Sequence, residues 1–242
     1  MTTATPTFGA LLTRFFTQRL MGQRHASPHT ISSYRDTFRL LLQFAHARLN
    51  KAPAQLAWNN IDAPLISAFL DDLQAQRKIT ARSRNIRLTA IRSLFRYAAF
   101  ELPAQSEQIQ RVLAIPNKRC VRKQVDFLTQ LEVDALLAAP DPRTWSGCRD
   151  HAWLLLALQT GLRLSELIRL TRQDLHLDAG AYVHVLGKGR KERCIPLTKQ
   201  TVAVLRAWMK HPPRGDGTVL FPNRLGQHMG NTGLQYLLAQ HA

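Results

Sequence analysis

The sequence predicts a mainly α-helical protein with one small antiparallel β-sheet, an α+β fold built as two domains. Three observations carry this. Apolar residues recur at helical spacing through the first hundred positions. The period changes to two only around residues 182–197. Between them, a stretch containing Pro103 and Pro116 breaks the helical pattern. The expected organisation is a helical domain over 1–104, a basic linker over 105–124 and a second domain over 125–242.

Four helices are expected in the first domain. Leu11, Leu12, Phe15 and Phe16 mark the first, although residues 1–35 carry Arg14, Arg19, Arg24 and Arg35 with no acid, as a transit peptide would. The helical periodicity continues into the next segment, so this stretch is read as part of the fold. Ser27 can cap a second helix that starts on Pro28 and carries Ile31, Tyr34, Phe38, Leu41, Leu42 and Ala45. The third spans about Pro64 to Gln76. The fourth runs from about Thr80 to Phe100, with Ile86, Ala90, Leu94 and Tyr97 facing inward and most of Arg82, Arg84, Arg87, Arg92 and Arg96 lying elsewhere on the wheel.

In the second domain, Thr129-Gln130-Leu131-Glu132 has the form of a capping box ahead of Val133, Leu136 and Leu137. An apolar helix through Trp153–Leu158 ends at Thr160-Gly161, and another follows through Leu164, Leu167 and Ile168 to Thr171. Tyr182–Leu186 and Cys194–Leu197 alternate as two strands, joined by a turn over Gly187–Arg193. Helices are expected over Thr201–Met209 and Thr232–Gln240, around a short apolar segment, Val219-Leu220-Phe221.

Charge points to the partner. The 242 residues hold 33 Lys plus Arg against 16 Asp plus Glu, a net charge of +17. Such a surplus favours phosphate backbones and other anionic surfaces. It divides into +9 over residues 1–104 and +8 over 105–242, so both domains are basic, and arginine outnumbers lysine. Arg111, Lys118, Arg119, Arg122 and Lys123 follow one another with no acid between Glu107 and Asp126, as in a segment that tracks phosphates. Cys120, Cys148 and Cys194 are odd in number and form no CxxC, which argues against a disulfide framework or a zinc site and for a reducing cytoplasm. No apolar run reaches the roughly 20 residues of a membrane span.

Two segments could carry chemistry. In Thr160-Gly161-Leu162-Arg163-Leu164-Ser165-Glu166-Leu167, a charge sits in a turn between apolar helices, where it costs energy unless paired. Arg163 could cap the preceding helix or pair with Glu166. It could also be held rigidly to grip an anion. In Leu186-Gly187-Lys188-Gly189-Arg190-Lys191-Glu192-Arg193, Lys188 lies between two glycines, which allow a ligand to approach the backbone closely. An ordinary basic hairpin has the same pattern. A P-loop does not, since its GxxxxGK[ST] spacing is missing.

Together the two segments resemble the tyrosine recombinase (phage integrase) family of site-specific recombinases. TGLRLSEL is similar to the family's first catalytic-arginine motif, and GKGRKERCIPL to the hairpin whose lysine, here Lys188, is catalytic. Ser27–Arg35 and Arg84–Ala98 look like two helices of the family's core-binding domain. The resemblance implies a SAM-like core-binding bundle followed by the recombinase catalytic domain. It implies double-stranded DNA as partner, other recombinase subunits assembled with it as a tetramer, a role in mobile elements, and neither metal nor cofactor. DNA contacts are expected from Arg35, Arg82, Arg84, Arg87, Arg92, Arg96, Lys118, Arg119, Arg122, Lys123, Arg190 and Lys191.

Family members cut one strand with a tyrosine hydroxyl, forming a 3′-phosphotyrosine. Arg163 would stabilise charge on the five-coordinate phosphate and Lys188 would protonate the 5′-oxygen. The family pattern continues with a His-x-x-Arg motif, a further His or Trp, and the nucleophile. None of these is expected here: Met229, Gly230 and Asn231 follow His228, and His241 is penultimate. Of the tyrosines, Tyr34 and Tyr97 fit apolar helix faces, Tyr182 opens a strand and Tyr236 is expected to pack. The expectation is a C-terminally truncated catalytic domain that is inactive alone, with apolar surface exposed near Trp153–Leu158 or Leu234–Leu238. The alternative is a non-catalytic protein that occupies recombination sites and modulates full-length relatives. A helical regulator unconnected with recombination would need neither motif.

Overall fold

The computed structural model describes residues 7–121, 127–187 and 191–241. The chain divides into two compact units, Met1–Gln124 and Val125–Ala242.

In the first unit, local capping sets where each helix begins. The Thr7 side chain accepts from the Ala10 N–H and starts α1, Phe8–Arg14, which runs on as a wider-wound π-helix, Phe15–Gln23. Ser27 caps α2, Pro28–Leu49, accepting the Thr30 N–H at 3.3 Å. Asp62 caps α3, Ala63–Arg77, and Thr80 caps α4, Ala81–Glu101. Phe8, Phe15, Phe38, Leu41, Trp58, Ile66, Phe69, Ile91 and Phe95 are all buried in one core, with the Trp58 and Phe95 rings 4.7 Å apart.

Two expectations for this unit need correction. Ile86 is not inward: it is 48% exposed, while Leu88, Ile91, Phe95 and Ala98 join the expected Ala90, Leu94 and Tyr97 among the buried residues. Helix α4 packs against α2, α3 and the helix that follows it, so packing on several sides sets its buried sector. The stretch expected as a linker is also not all linker. Pro103 opens a 3-10 turn, Pro103–Gln105, that leads into α5, Ser106–Leu113. Ile109, Val112 and Ile115 are buried in the first unit's core. Proline fits a first helical turn, where no N–H partner is needed, so Pro103 introduces a helix here instead of ending the domain.

The second unit begins with α6, Gln130–Ala138. Its capping box forms: the Thr129 N–H donates to Glu132 Oε2 at 2.7 Å, and the Glu132 N–H to Thr129 Oγ1 at 3.3 Å. Helix α7, Trp145–Thr160, is capped by Thr144. Near its start Gly147 lies against the Asp141 backbone, whose oxygen would be 1.9 Å from any Cβ. It ends at Gly161 in the left-handed region, φ 60°. The next helix, α8, Leu164–Arg169, is shorter than expected: Thr171 lies outside it and pairs with Val219.

The sheet is a three-stranded antiparallel meander of β1, Leu175–His176, β2, Tyr182–Leu186, and β3, Glu192–Pro196. Val183 and Val185 are buried and pair with Ile195 and Arg193. The two-residue β1 carries too short a pattern to be read from sequence. Helices α9, Lys199–Met209, and α10, Asn231–His241, complete the unit.

The apolar surface expected to be open is mostly covered. Trp153, Leu154, Leu156, Leu234 and Leu237 are buried with Leu205, Trp208, Leu220 and Phe221, and only Leu158 of the α7 stretch is exposed. The segments after the sheet close over α7. Tyr236, expected to pack, is instead 70% exposed. Among the described residues no helix is long and apolar enough to cross a membrane.

Candidate nucleic-acid interface

The left-handed Gly161 turns the chain sharply after α7, burying Leu162 and setting Arg163 at the start of α8. Glu166, one turn into α8, then points back. Its carboxylate accepts the Arg163 N–H at 2.9 Å and the Arg163 Nη1 at 3.0 Å. From 27 residues further on, Arg193 of β3 closes on the same carboxylate with both terminal nitrogens, Nη1 at 3.2 Å and Nη2 at 2.8 Å. The Glu166 side chain is 5% exposed, whereas that of Arg163 is 66% exposed. Arg163 therefore pairs with Glu166, does not cap the preceding helix, and still presents its guanidinium to solvent. Of the roles open to it in the sequence, the pairing with Glu166 is the one the structure forms.

Electrostatics agree with the geometry. The Arg193 hydrogen bonds, then those from Arg163, outweigh burial and hold the Glu166 carboxyl at about 2, down from 4.5. A carboxylate with a depressed folded value stabilises the fold above its unfolded value and loses that contribution as the pH falls through the folded one. The Glu166 contribution is thus complete above about pH 4.5 and lost toward about pH 2. E166Q is expected to flatten the melting temperature across that window relative to wild type. Identical profiles for the two proteins would contradict the pairing.

The hairpin follows directly. The Gly187 N–H donates to the Lys191 carbonyl at 2.8 Å and closes its base. Lys191 is exposed. Lys188 and Arg190 lie outside the described residues, as do Arg122 and Lys123.

In the first unit the expected DNA-contacting residues fall into two groups. Arg35, Arg82, Arg96, Lys118 and Arg119 are exposed, and the Lys118 ammonium also reaches Gln74 Oε1 at 2.6 Å. Arg84, Arg87 and Arg92 are instead spent inside the unit. Arg84 is 5% exposed and donates to the Pro116 carbonyl at 3.4 Å. Arg87 binds the Ser33 carbonyl and Thr37 Oγ1. Arg92 binds the Ile115 carbonyl and Asn117 Oδ1, and burial, then Arg96 and Arg84, pull its guanidinium below the ordinary arginine value. Their positions on α4 face α2 and the segment after α5, so their charge braces the fold. Asn85 joins them, gripping Lys118 through its backbone N–H and carbonyl at 3.0 and 2.8 Å.

Sequence reasoning missed three features. Glu166 and Arg193 entered it only as a possible partner and a turn residue. Their separation in sequence hides the pairing. A His-x-x-Arg spacing, expected to be absent, does occur at His211–Arg214, between α9 and α10. Arg214 lies over the Trp145 ring with Cζ 3.7 Å from its centroid, and His211 lies against Trp208. Trp145 opens α7 and Arg163 follows its end, so about 24 Å of helix separates this pair from Arg163. The third is the buried pair Arg149–Asp150, where Arg149 Nε meets Asp150 Oδ1 at 2.7 Å and Nη1 the Pro222 carbonyl at 2.9 Å.

The described site is thus an exposed Arg163 guanidinium held on the buried Glu166 carboxylate, which Arg193 of β3 also grips. Comparison with known proteins gives the family. The model of the phage integrase family matches residues 126–241, and that of the phage integrase N-terminal SAM-like domain matches residues 14–101. The integrase/recombinase-type protein y4rC of Sinorhizobium fredii is 64% identical over 96% of this chain and 70% of its own length. Tyrosine recombinase XerC of Xanthomonas campestris is 33% identical over 94% of this chain and 67% of its own. The chain belongs to the tyrosine recombinase (phage integrase) family. The fold is also that of lambda integrase, crystallised as a dimer bound to a COC′ core site, with a TM-score of 0.67 at 18% identity over 98% of this chain and 63% of that one. XerH recombinase, in a post-cleavage complex with its difH substrate, gives 0.64 at 19% identity over 93% of this chain and 66% of that one. The chain spans about two thirds of the length of these proteins.

Proposed function

We propose that this chain binds duplex DNA as a site-specific recombinase does, holding the phosphate to be exchanged against Arg163 and Lys188. One observation carries the reading: the Arg163 guanidinium is anchored on a buried carboxylate and yet two-thirds exposed. A donor fixed in advance stabilises charge developing on phosphorus without having to reorganise. Arg35, Arg82, Arg96, Lys118 and Arg119 of the first unit, and Lys191 after the hairpin turn, are exposed cations that would add contacts to the DNA backbone, and Arg122, Lys123 and Arg190 are further candidates from the sequence. The DNA-bound dimer and Holliday-junction tetramer of lambda integrase support assembly with further recombinase subunits on the DNA.

In the family reaction a tyrosine oxygen attacks phosphorus, the bond to the 5′-oxygen breaks, and that oxygen takes a proton, here from Lys188. Among the described residues the hydrogen bonds to Glu166 come from Arg163 and Arg193, and none from a tyrosine. A polypeptide of these 242 residues is therefore expected to bind a nicked suicide duplex without a covalent adduct surviving denaturing electrophoresis. A trapped protein–DNA band from the purified chain would overturn this. The same binding lets the chain occupy a recombination site and modulate a full-length relative, a reading that requires it to compete with such a relative for that site.

A further inference from the structure

We infer that Arg193 is a positioning residue for the phosphate-binding arginine: its two-pronged contact with Glu166 aims Arg163. The inference rests on the phosphate reading of Arg163 and adds to it a residue that contacts no DNA in that reading. Three observations carry it.

The first is geometric. Glu166 has two carboxylate oxygens and four donors around them: the Arg163 N–H and Nη1, and both terminal nitrogens of Arg193. Arg163 alone contacts the carboxylate through a single guanidinium nitrogen, which leaves the long side chain free to swing. The fork from Arg193 fixes the orientation of the carboxylate plane, and with it the direction in which Oε1 receives Arg163. The second is electrostatic. A buried carboxylate would tend to neutralise, and the Arg193 hydrogen bonds are the largest influence keeping Glu166 ionised. The third is steric. A Cβ on Gly187 would lie 2.8 Å from Arg193 Nη1 and 3.3 Å from Glu166 Oε1. A side chain at 187 would thus push the Arg193 guanidinium off its place on Glu166, and residue 187 immediately precedes Lys188. The contact ties the Arg163 turn to the strand pair that carries the hairpin.

A lysine at 193 keeps the charge but cannot form the fork, so R193K separates positioning from charge. The test is a double-mutant cycle on duplex binding by the full chain, using wild type, R163A, R193K and the double variant, with melting temperatures as a folding check. R193K is expected to weaken binding about fivefold in the wild-type background and to have no further effect once Arg163 is absent, as for residues acting through one network. Equal losses in both backgrounds, or no loss in either, would overturn the inference while leaving Arg163 as a contact. If R163A itself binds DNA like wild type, the phosphate reading fails and the inference with it. The same criterion applies to Gly187→Ala, which displaces Nη1 with every charge retained. Gly187 is outside the left-handed region, so this variant carries no backbone strain and takes the place of R193K should the lysine variant not fold.

Discussion

Replacing Arg149 by alanine is expected to destabilise the second unit by about 3–5 kcal/mol, because it removes the closest cation from the buried Asp150 carboxylate and leaves it His241 Nε2 at 3.5 Å. Both members of the Arg149–Asp150 pair are 8% exposed, so water cannot take over from the missing partner. Arg149 also holds the Pro222 carbonyl and lies with Cζ 5.3 Å from the Trp145 ring centroid, so the substitution removes a tie between α7 and the Phe221–Asn223 segment. The expected drop in the second unit's melting temperature exceeds about 10 °C, given several degrees per kcal/mol for a domain of this size. The penalty comes from the charge that loses its closest cation. Replacing Arg149 and Asp150 together by leucine should therefore cost much less than Arg149→Ala alone. Thermal unfolding followed by circular dichroism decides it. A loss below about 1 kcal/mol for Arg149→Ala would mean that the pair is not what closes this end of α7.

Duplex binding is expected to be steeply salt-dependent. Arg35, Arg82, Arg96, Arg119, Arg163 and Lys191 are exposed cations on the described residues. Each phosphate neutralised releases counterions, and six such contacts give a slope of about −5 in log K against log salt, or roughly a thousandfold loss between 50 and 200 mM. Arg84, Arg87 and Arg92 are left out of that total because their guanidiniums bind carbonyls and side chains of their own unit. Substituting Arg96 should thus lower the slope, whereas substituting Arg84 should lower the melting temperature and leave the slope unchanged. Fluorescence anisotropy at several salt concentrations distinguishes the two groups.

This division was not legible in the sequence. A helical wheel gives the spacing of the α4 arginines but not which neighbours surround them. The phase of α4 is set by α2, α3 and α5, which is why Ile86 was misplaced and why Arg84 proved buried. The same gap hid α5, since Pro103 reads as a breaker in sequence and serves as a first-turn residue in three dimensions. Features written into neighbouring residues were legible: the caps at Ser27, Thr80 and Thr129, the left-handed Gly161, and the alternation of β2. The Arg163 turn and the hairpin were legible as motifs, and Glu166 as a partner for Arg163. What holds them together was not, because Arg193 meets Glu166 across 27 residues of intervening chain.

The most direct test of the proposed phosphate contact is the salt dependence of duplex binding by R163A beside the wild type. One lost phosphate contact should lower the slope by about 0.9 and weaken binding at low salt, with a loss of melting temperature no larger than the missing Arg163–Glu166 hydrogen bond explains, since Arg193 still pairs with Glu166. Superimposable salt titrations for the two proteins would show that Arg163, however firmly Glu166 holds it, does not touch the DNA.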